Sequence, residues 1–374
     1  MSRMLTAALT IVPLLLLSAP AGAKSKADTA PQLKYNYKLS GVEALDNWVV
    51  KLKTSQFMEM MVGVVDAQYK LPRTMTFNVT ACKMANAFYL PKARSITLCL
   101  ELLSEYDALF TKFFNQKWPK KCKIGQPCKE RSKWVEKHTM ATATFVVWHE
   151  LGHALVSELD LPATGRNEDV ADQIATYIAN MGPPDKTSDL VKRALSGALV
   201  WFESNHRKAM SPKHKRGLNF AGHHSLDQVR RNNLACWFYG KDPEKRQGIG
   251  KLLPEKRRVR CKREWTRFSS ALDRLLKPHT FPKATTQARF DAIKKVNAAV
   301  VARVKDLGKT CKAEVGAYAK LLGKAKPVGK DTLKRLVKRF TNKCYMDEWN
   351  AGQKQCAKNA GDLAMFHRCL GLSK

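Results

Sequence analysis

The chain is short of acid and short of long apolar runs. Aspartate and glutamate total 32 against 66 lysines and arginines, a formal net charge of +34. The shortage is uneven. Residues 24–200 hold 24 basic and 18 acidic side chains, and residues 201–374 hold 41 and 14. Net charge is therefore about +6 in the first stretch and about +27 in the second. Such a surplus suits either an anionic partner or a strongly basic solvated surface. The candidate partners are an anionic envelope polymer, lipid head groups, nucleic acid or acidic protein. No nucleic-acid motif is present, so base-specific reading is unsupported.

The only sustained apolar run is Leu5 to Leu17, too short to span a bilayer comfortably. Arg3 precedes it and Ala21-Gly22-Ala23 follows it. That order reads as a signal peptide over residues 1–23, with cleavage after Ala23. The residue directly after the cleavage site is Lys24 rather than a cysteine, which argues against a lipid anchor. The mature chain is expected to be exported, periplasmic or secreted, with no transmembrane segment.

Cysteine is not scarce, and its count is even: ten. Even numbers in an exported chain favour disulfides. The cysteines also fall into even groups by region. The expected pairs are Cys82–Cys99, Cys122–Cys128 and Cys236–Cys261. Cys311, Cys344, Cys356 and Cys369 allow three connectivities. A cysteine metal site is disfavoured, because the close paired spacing such sites use is missing.

The stretch that organises the chain is Trp148-His149-Glu150-Leu151-Gly152-His153-Ala154-Leu155-Val156. No proline occurs from Val135 to Leu161, and the flanks are largely apolar, so a helix is expected. His149 and His153 are four apart and share one helix face. Their imidazoles can hold one zinc ion. Glu150, beside the first histidine, can serve as general base toward a water made acidic by that ion. Gly152 costs helix propensity, which suggests a close approach by another backbone or by substrate.

A third ligand is needed. Downstream lies Arg166-Asn167-Glu168-Asp169-Val170-Ala171-Asp172, the start of a second helical pattern. Glu168 and Asp172 are four apart and share a face. Glu168 is the candidate ligand, with Asp169 and Asp172 as competitors for the role. Asp172 could instead accept the second N–H of a ligating histidine, fixing its ring and tautomer. Further on, His224 or Arg230 could steady the oxyanion of a tetrahedral intermediate. Alternatively, Ser225 or Asp227 could cap a helix and Arg230 could pair with an acid.

HELGH followed by EDVAD resembles a glutamate-type zincin, in which ExxxD lies on the helix after HExxH. The chain more closely resembles the zinc metallopeptidase family catalogued as domain of unknown function 4344. The residues that carry this are Cys82, Asn86-Ala87-Phe88-Tyr89, Cys99, His149 to Leu155 and Glu168 to Gln173. His224-Ser225-Leu226-Asp227, Arg230, Asn233, Cys236 and Phe238-Tyr239-Gly240-Lys241-Asp242-Pro243 extend it. The resemblance covers about residues 34 to 276 and implies a zincin-like peptidase.

In chain order, residues 24 to about 40 read as loose. Val42–Tyr69 reads mostly as helix, Thr74–Thr80 and Ser95–Leu100 as strands, and Phe88–Pro91 as a turn or sheet edge. In zincins an edge strand above the active-site helix binds extended substrate, and one of these strands could do so. Glu101–Phe114 reads as helix and Lys117–Lys133 as a basic surface loop. Helices follow over the HExxH and ExxxD segments and over Ser188–Asn205, then a basic loop over Lys208–Arg216. Pro278-His279-Thr280-Phe281-Pro282 marks a boundary.

The expected architecture is α+β. A mostly helical zincin-like domain with a small sheet would occupy residues 34–277. A basic, disulfide-stapled helical module of about four helices would occupy residues 283–374. The expected activity is that of an exported zinc-dependent hydrolase acting on a peptide or protein substrate. The alternatives are a polyanion-binding envelope protein with structural zinc, and a zinc hydrolase of a non-peptide amide such as a cell-wall crosslink.

Overall fold

The computed structural model describes residues 33–181, 189–211, 223–289, 311, 313–322, 330–347, 349 and 351–370, with 291, 295 and 302 as isolated positions. The expected signal peptide and most of the expected Lys208–Arg216 loop lie outside the described residues, as do Gly182-Pro183-Pro184, expected to end the ExxxD helix, and residues 323–329, expected to break the C-terminal helices.

Four strands form one sheet in the order β1-β2-β4-β3: β1 Leu33–Tyr37, β2 Met75–Thr80, β3 Ala87–Leu90 and β4 Ser95–Cys99. β2 pairs in parallel with both β1 and β4, and β3 runs antiparallel to β4 at the edge. β2 alternates as a half-covered strand should, burying Met75, Phe77 and Val79. β1 falls in the stretch expected to be loose. Of its five residues only Leu33 is buried. The strand therefore owes its place to pairing with β2, from Leu33 opposite Met75 to Tyr37 opposite Val79.

Ten helices precede the boundary segment among the described residues. They are α1 Glu43–Thr54, α2 Phe57–Gln68, α3 Leu100–Lys117, α4 Lys129–Glu158, α5 Asn167–Ala179, α6 Asp189–Met210, α7 Asp227–Lys241, α8 Gln247–Gly250, α9 Glu255–Arg258 and α10 Cys261–Leu276. α4 starts inside the expected surface loop, which is confined to the residues around Cys122 and Cys128. From Ala141 to Leu155 α4 is buried on nearly every side, because α3, α5 and α6 pack around it. A helix with no solvated face has little amphipathic period, and its apolar run reads as buried instead.

One buried cluster runs from Leu33 to Leu276. A second gathers Cys311, Tyr318, Phe340, Cys344, Trp349 and Phe366. Tyr318 and Phe340 stack with ring centroids 4.3 Å apart. Helices Lys330–Asp347, Ala351–Lys358 and Leu363–Cys369 surround that second cluster. Lys53 of α1 donates to the Met346 carbonyl at 3.2 Å, and Arg289 donates to the Asp66 carbonyl at 2.8 Å. The boundary segment is itself pinned. Thr280 forms a β-bridge with Tyr69, and Phe281 N–H donates to the Gln68 carbonyl.

Five disulfides join Cys82–Cys99, Cys122–Cys128, Cys236–Cys261, Cys311–Cys344 and Cys356–Cys369. The last two select one of the three connectivities open to the C-terminal four. Cysteine bonding of this density fits an oxidising compartment. Among the described residues, no helix is long and apolar enough to cross a membrane.

Candidate metal centre

Gly152 decides how α4 and α5 meet. A Cβ placed there would lie 2.9 Å from both the Cα and the carbonyl oxygen of Ala171. The two backbones are therefore in contact, and only glycine leaves the room. Ala171 lies between Glu168 and Asp172, so the contact aims the acidic face of α5 at the histidine face of α4.

The result is a tight set of donors. His149 Nε2 lies 3.1 Å from Glu168 Oε2, His153 Nε2 3.4 Å and His224 Nε2 2.7 Å. The donor atoms of His149, Glu168 and His224 all lie within 4.8 Å of one another. The other nitrogen of His149, Nδ1, is 2.8 Å from Asp172 Oδ1. Arg230 reaches across from α7 and donates to both Asp172 oxygens at 2.8 Å. Its guanidinium lies 4.4 Å from the Phe202 ring. His149 is thus gripped on one side by a carboxylate that is itself gripped by a guanidinium.

These contacts bias the charges. Burial raises the Glu168 carboxyl, but hydrogen bonds from His149, His153 and His224 outweigh it and hold the group far below the usual carboxylate range. Burial also raises Asp172, and the Arg230 charge overrides it, so Asp172 stays ionised. For His149, burial favours the neutral ring while the Asp172 charge pulls the other way, for a net rise to about 9. Imidazole nitrogens and one carboxylate are a donor set that suits zinc, and the residues present fit such an ion.

Glu150 is buried and lines a cleft of about 500 Å³ together with His149, His153, Glu168 and His224. Among the described residues its carboxylate has no hydrogen-bond or ion-pair partner. Edge strand β3 supplies Phe88 and Tyr89 to the same cleft. It is fastened to the far end of α4, where Glu158 accepts from Tyr89 Oη at 2.9 Å and from Arg73 Nε at 3.0 Å. The turn before β3 is held by Glu101, which accepts from the N–H groups of Cys82 and Lys83.

Of the residues singled out from sequence, His149, Glu150, His153, Glu168, His224 and Arg230 border one cleft, and Asp172 stands behind His149. Asp169 is turned away and accepts from Ser225 Oγ at 3.0 Å, tying the His224 segment to α5. Arg230 spends its Nε and Nη2 on Asp172 and is held as the partner of an acid. The Tyr89–Glu158–Arg73 link had no sequence signal, since Tyr89 and Glu158 stand 69 residues apart.

The fold and the site define a helix-rich α+β protein with a histidine–carboxylate group able to hold a metal, set beneath a sheet edge. A family model described as "Putative metallopeptidase" matches residues 42–276, and the chain belongs to that family. The family implies a metal and a peptide substrate. No curated protein and no solved structure matches the chain.

Proposed function

We propose that the protein is an exported zinc-dependent peptidase, with His149, His153 and Glu168 holding the ion. When bound, zinc supplies a Lewis acid that polarises a carbonyl and makes water acidic near neutral pH. Glu150 takes the proton from the attacking water and passes it to the leaving amine. Asp172, backed by Arg230, keeps His149 in the tautomer that presents Nε2 to the site. His224 steadies the oxyanion that develops on the carbonyl under attack. Strand β3 offers its free edge to an extended peptide, which pairs with it by main-chain hydrogen bonds.

The observation that carries this reading is Glu150. Its carboxylate borders the cleft beside the histidines and has no partner among the described residues, which leaves it free to act as a base, a group that a purely structural site does not need. The approach of His224 to Glu168 favours one second reading. If His224 joined His149, His153 and Glu168 on the ion, the site would be closed, as structural zinc sites are.

Two variants separate the readings. Glu150→Gln is expected to keep about one zinc per chain and to lose most turnover in a protease screen. His224→Ala is expected to keep the zinc as well and to lose catalytic rate. Elemental analysis of His224→Ala that finds no metal would favour the closed site. A metal-free wild type that cannot be loaded with zinc ends both readings.

A further inference from the structure

Between Lys251 and Lys277 the chain carries ten lysines and arginines against three acids. Helix α10 turns its apolar face inward, burying Cys261, Leu272 and Leu276. The opposite face is a stripe. Val259, Arg263, Arg267, Ser270 and Arg274 recur at intervals of four, four, three and four, which is one side of a helix. Val259 (φ −62, ψ −20) and Arg260 (φ −93, ψ −14) already have helical dihedrals, so the stripe begins before α10. All five of its side chains are exposed. Arg263 to Arg274 spans roughly 16 Å at the rise of an α-helix.

Arg257 is spent on Glu264, but the charges along the stripe are not spent in this way. Among the described residues, Arg260, Lys262, Arg263, Arg267 and Arg274 make no side-chain ion pair or hydrogen bond. Two of the three acids in the segment already have partners. Glu264 is paired with Arg257, and Asp273 accepts from the Tyr177 hydroxyl. The basic end also exposes apolar side chains: Val259 is 72% exposed and Leu252 is 45% exposed. None of these residues lines the cleft of the metal centre.

We propose that this face docks on an anionic lipid surface. The guanidinium groups contact head-group phosphates, which they can grip through two N–H groups at once. Val259, on the stripe itself, enters the head-group layer. A flat surface suits a convex helix ridge, which offers no groove to enclose a single polymer strand. Exposed apolar side chains gain nothing from a polyanion in water, but they gain from the head-group boundary. The attachment is peripheral, and it stands independently of the peptidase reading.

The test is sedimentation of the full-length purified protein with vesicles of phosphatidylcholine alone or mixed with phosphatidylglycerol. Heparin binding is measured in parallel. Wild type is expected to bind only the mixed vesicles, and less as salt rises. Replacing Arg263, Arg267 and Arg274 together by glutamine is expected to weaken vesicle binding roughly a hundredfold. Val259→Ser is expected to weaken vesicle binding roughly fivefold while leaving heparin binding unchanged. Ser270→Arg fills the gap in the stripe and is expected to tighten vesicle binding, a gain that no folding defect can imitate. If Val259→Ser binds vesicles as wild type does while the triple variant loses vesicles and heparin alike, the partner is a soluble polyanion and the lipid assignment falls. Wild type that ignores mixed vesicles, or a triple variant that binds them undiminished, overturns the proposal outright.

Discussion

Three imidazoles face one oxygen of Glu168, so no other acid can take its place without moving a helix. Glu168→Ala is expected to weaken zinc binding more than Asp169→Ala, whose partner is Ser225. Asp172→Asn is expected to cost roughly 10- to 100-fold in zinc affinity, since it acts through His149. A competition titration in which Asp169→Ala proves the weakest binder would reverse this assignment. Protons compete for the same site. His149 is raised from 6.5 to about 9 in the metal-free protein. Its contribution to metal-free stability is therefore full below the lower value and is lost as pH rises through the higher one. A zinc ion held there would have to displace that proton, so its affinity is expected to fall as pH drops from about 9 toward about 6. A flat titration across that window would show that His149 is neutral throughout it. The four-residue spacings His149/His153 and Glu168/Asp172 were legible because they are local to a helix turn. That Arg230 could pair with an acid was legible too, but not that the acid is Asp172, because the two are 58 residues apart and nothing local marks them as partners.

At the scale of elements, helix α4 and edge strand β3 are one assembly. Tyr89 and Arg73 bind Glu158 at the end of α4, so β3 is registered to the helix that carries His149 and Glu150. Tyr89→Phe with Arg73→Ala is expected to raise KM for a peptide substrate several-fold while zinc content stays at wild-type level. Equal losses of zinc and of substrate affinity would mean that the link serves stability alone. Gly152→Ala is expected to destabilise the fold by about 1–3 kcal/mol and to weaken zinc binding, because the Ala171 backbone cannot yield as a flexible side chain would. Thermal unfolding and metal content check it. The elements themselves were unevenly legible. β2 announced itself by alternation. β1 did not, since an exposed parallel edge strand with one buried residue carries no period of its own. The first turns of α4 were hidden for a similar reason: Lys129 to Lys133 are charged or polar and bury nothing.

At the scale of the whole molecule, two buried clusters and five disulfides share the work of holding a very basic chain together. Cys236–Cys261 ties α7 to α10 where Gly240 also lets their backbones touch; a Cβ on Gly240 would meet the Cys261 carbonyl. Replacing both cysteines with serine is expected to lower stability by about 2–4 kcal/mol. Because α7 carries Arg230, zinc affinity should fall as well. Unchanged zinc affinity in a destabilised variant would show that α7 keeps its place without the bond. The even regional grouping of cysteines made the first three pairs legible. The C-terminal pairing was not, because four cysteines in a helical stretch leave the choice to tertiary packing around Phe340 and Phe366.

The contact between Gly152 and Ala171 also bears on when the metal centre comes into being. His149 and His153 sit on one helix, and Glu168 and Asp172 on the next. Neither helix alone owns a site. An ion bound there acts as a rivet through a joint, and the joint closes only when α5 lies directly on α4. Metal uptake would then be a late event in maturation, following the docking of two helices rather than guiding either one. A chelator would act first as a loosener of α5, long before it unfolded the sheet or the second cluster.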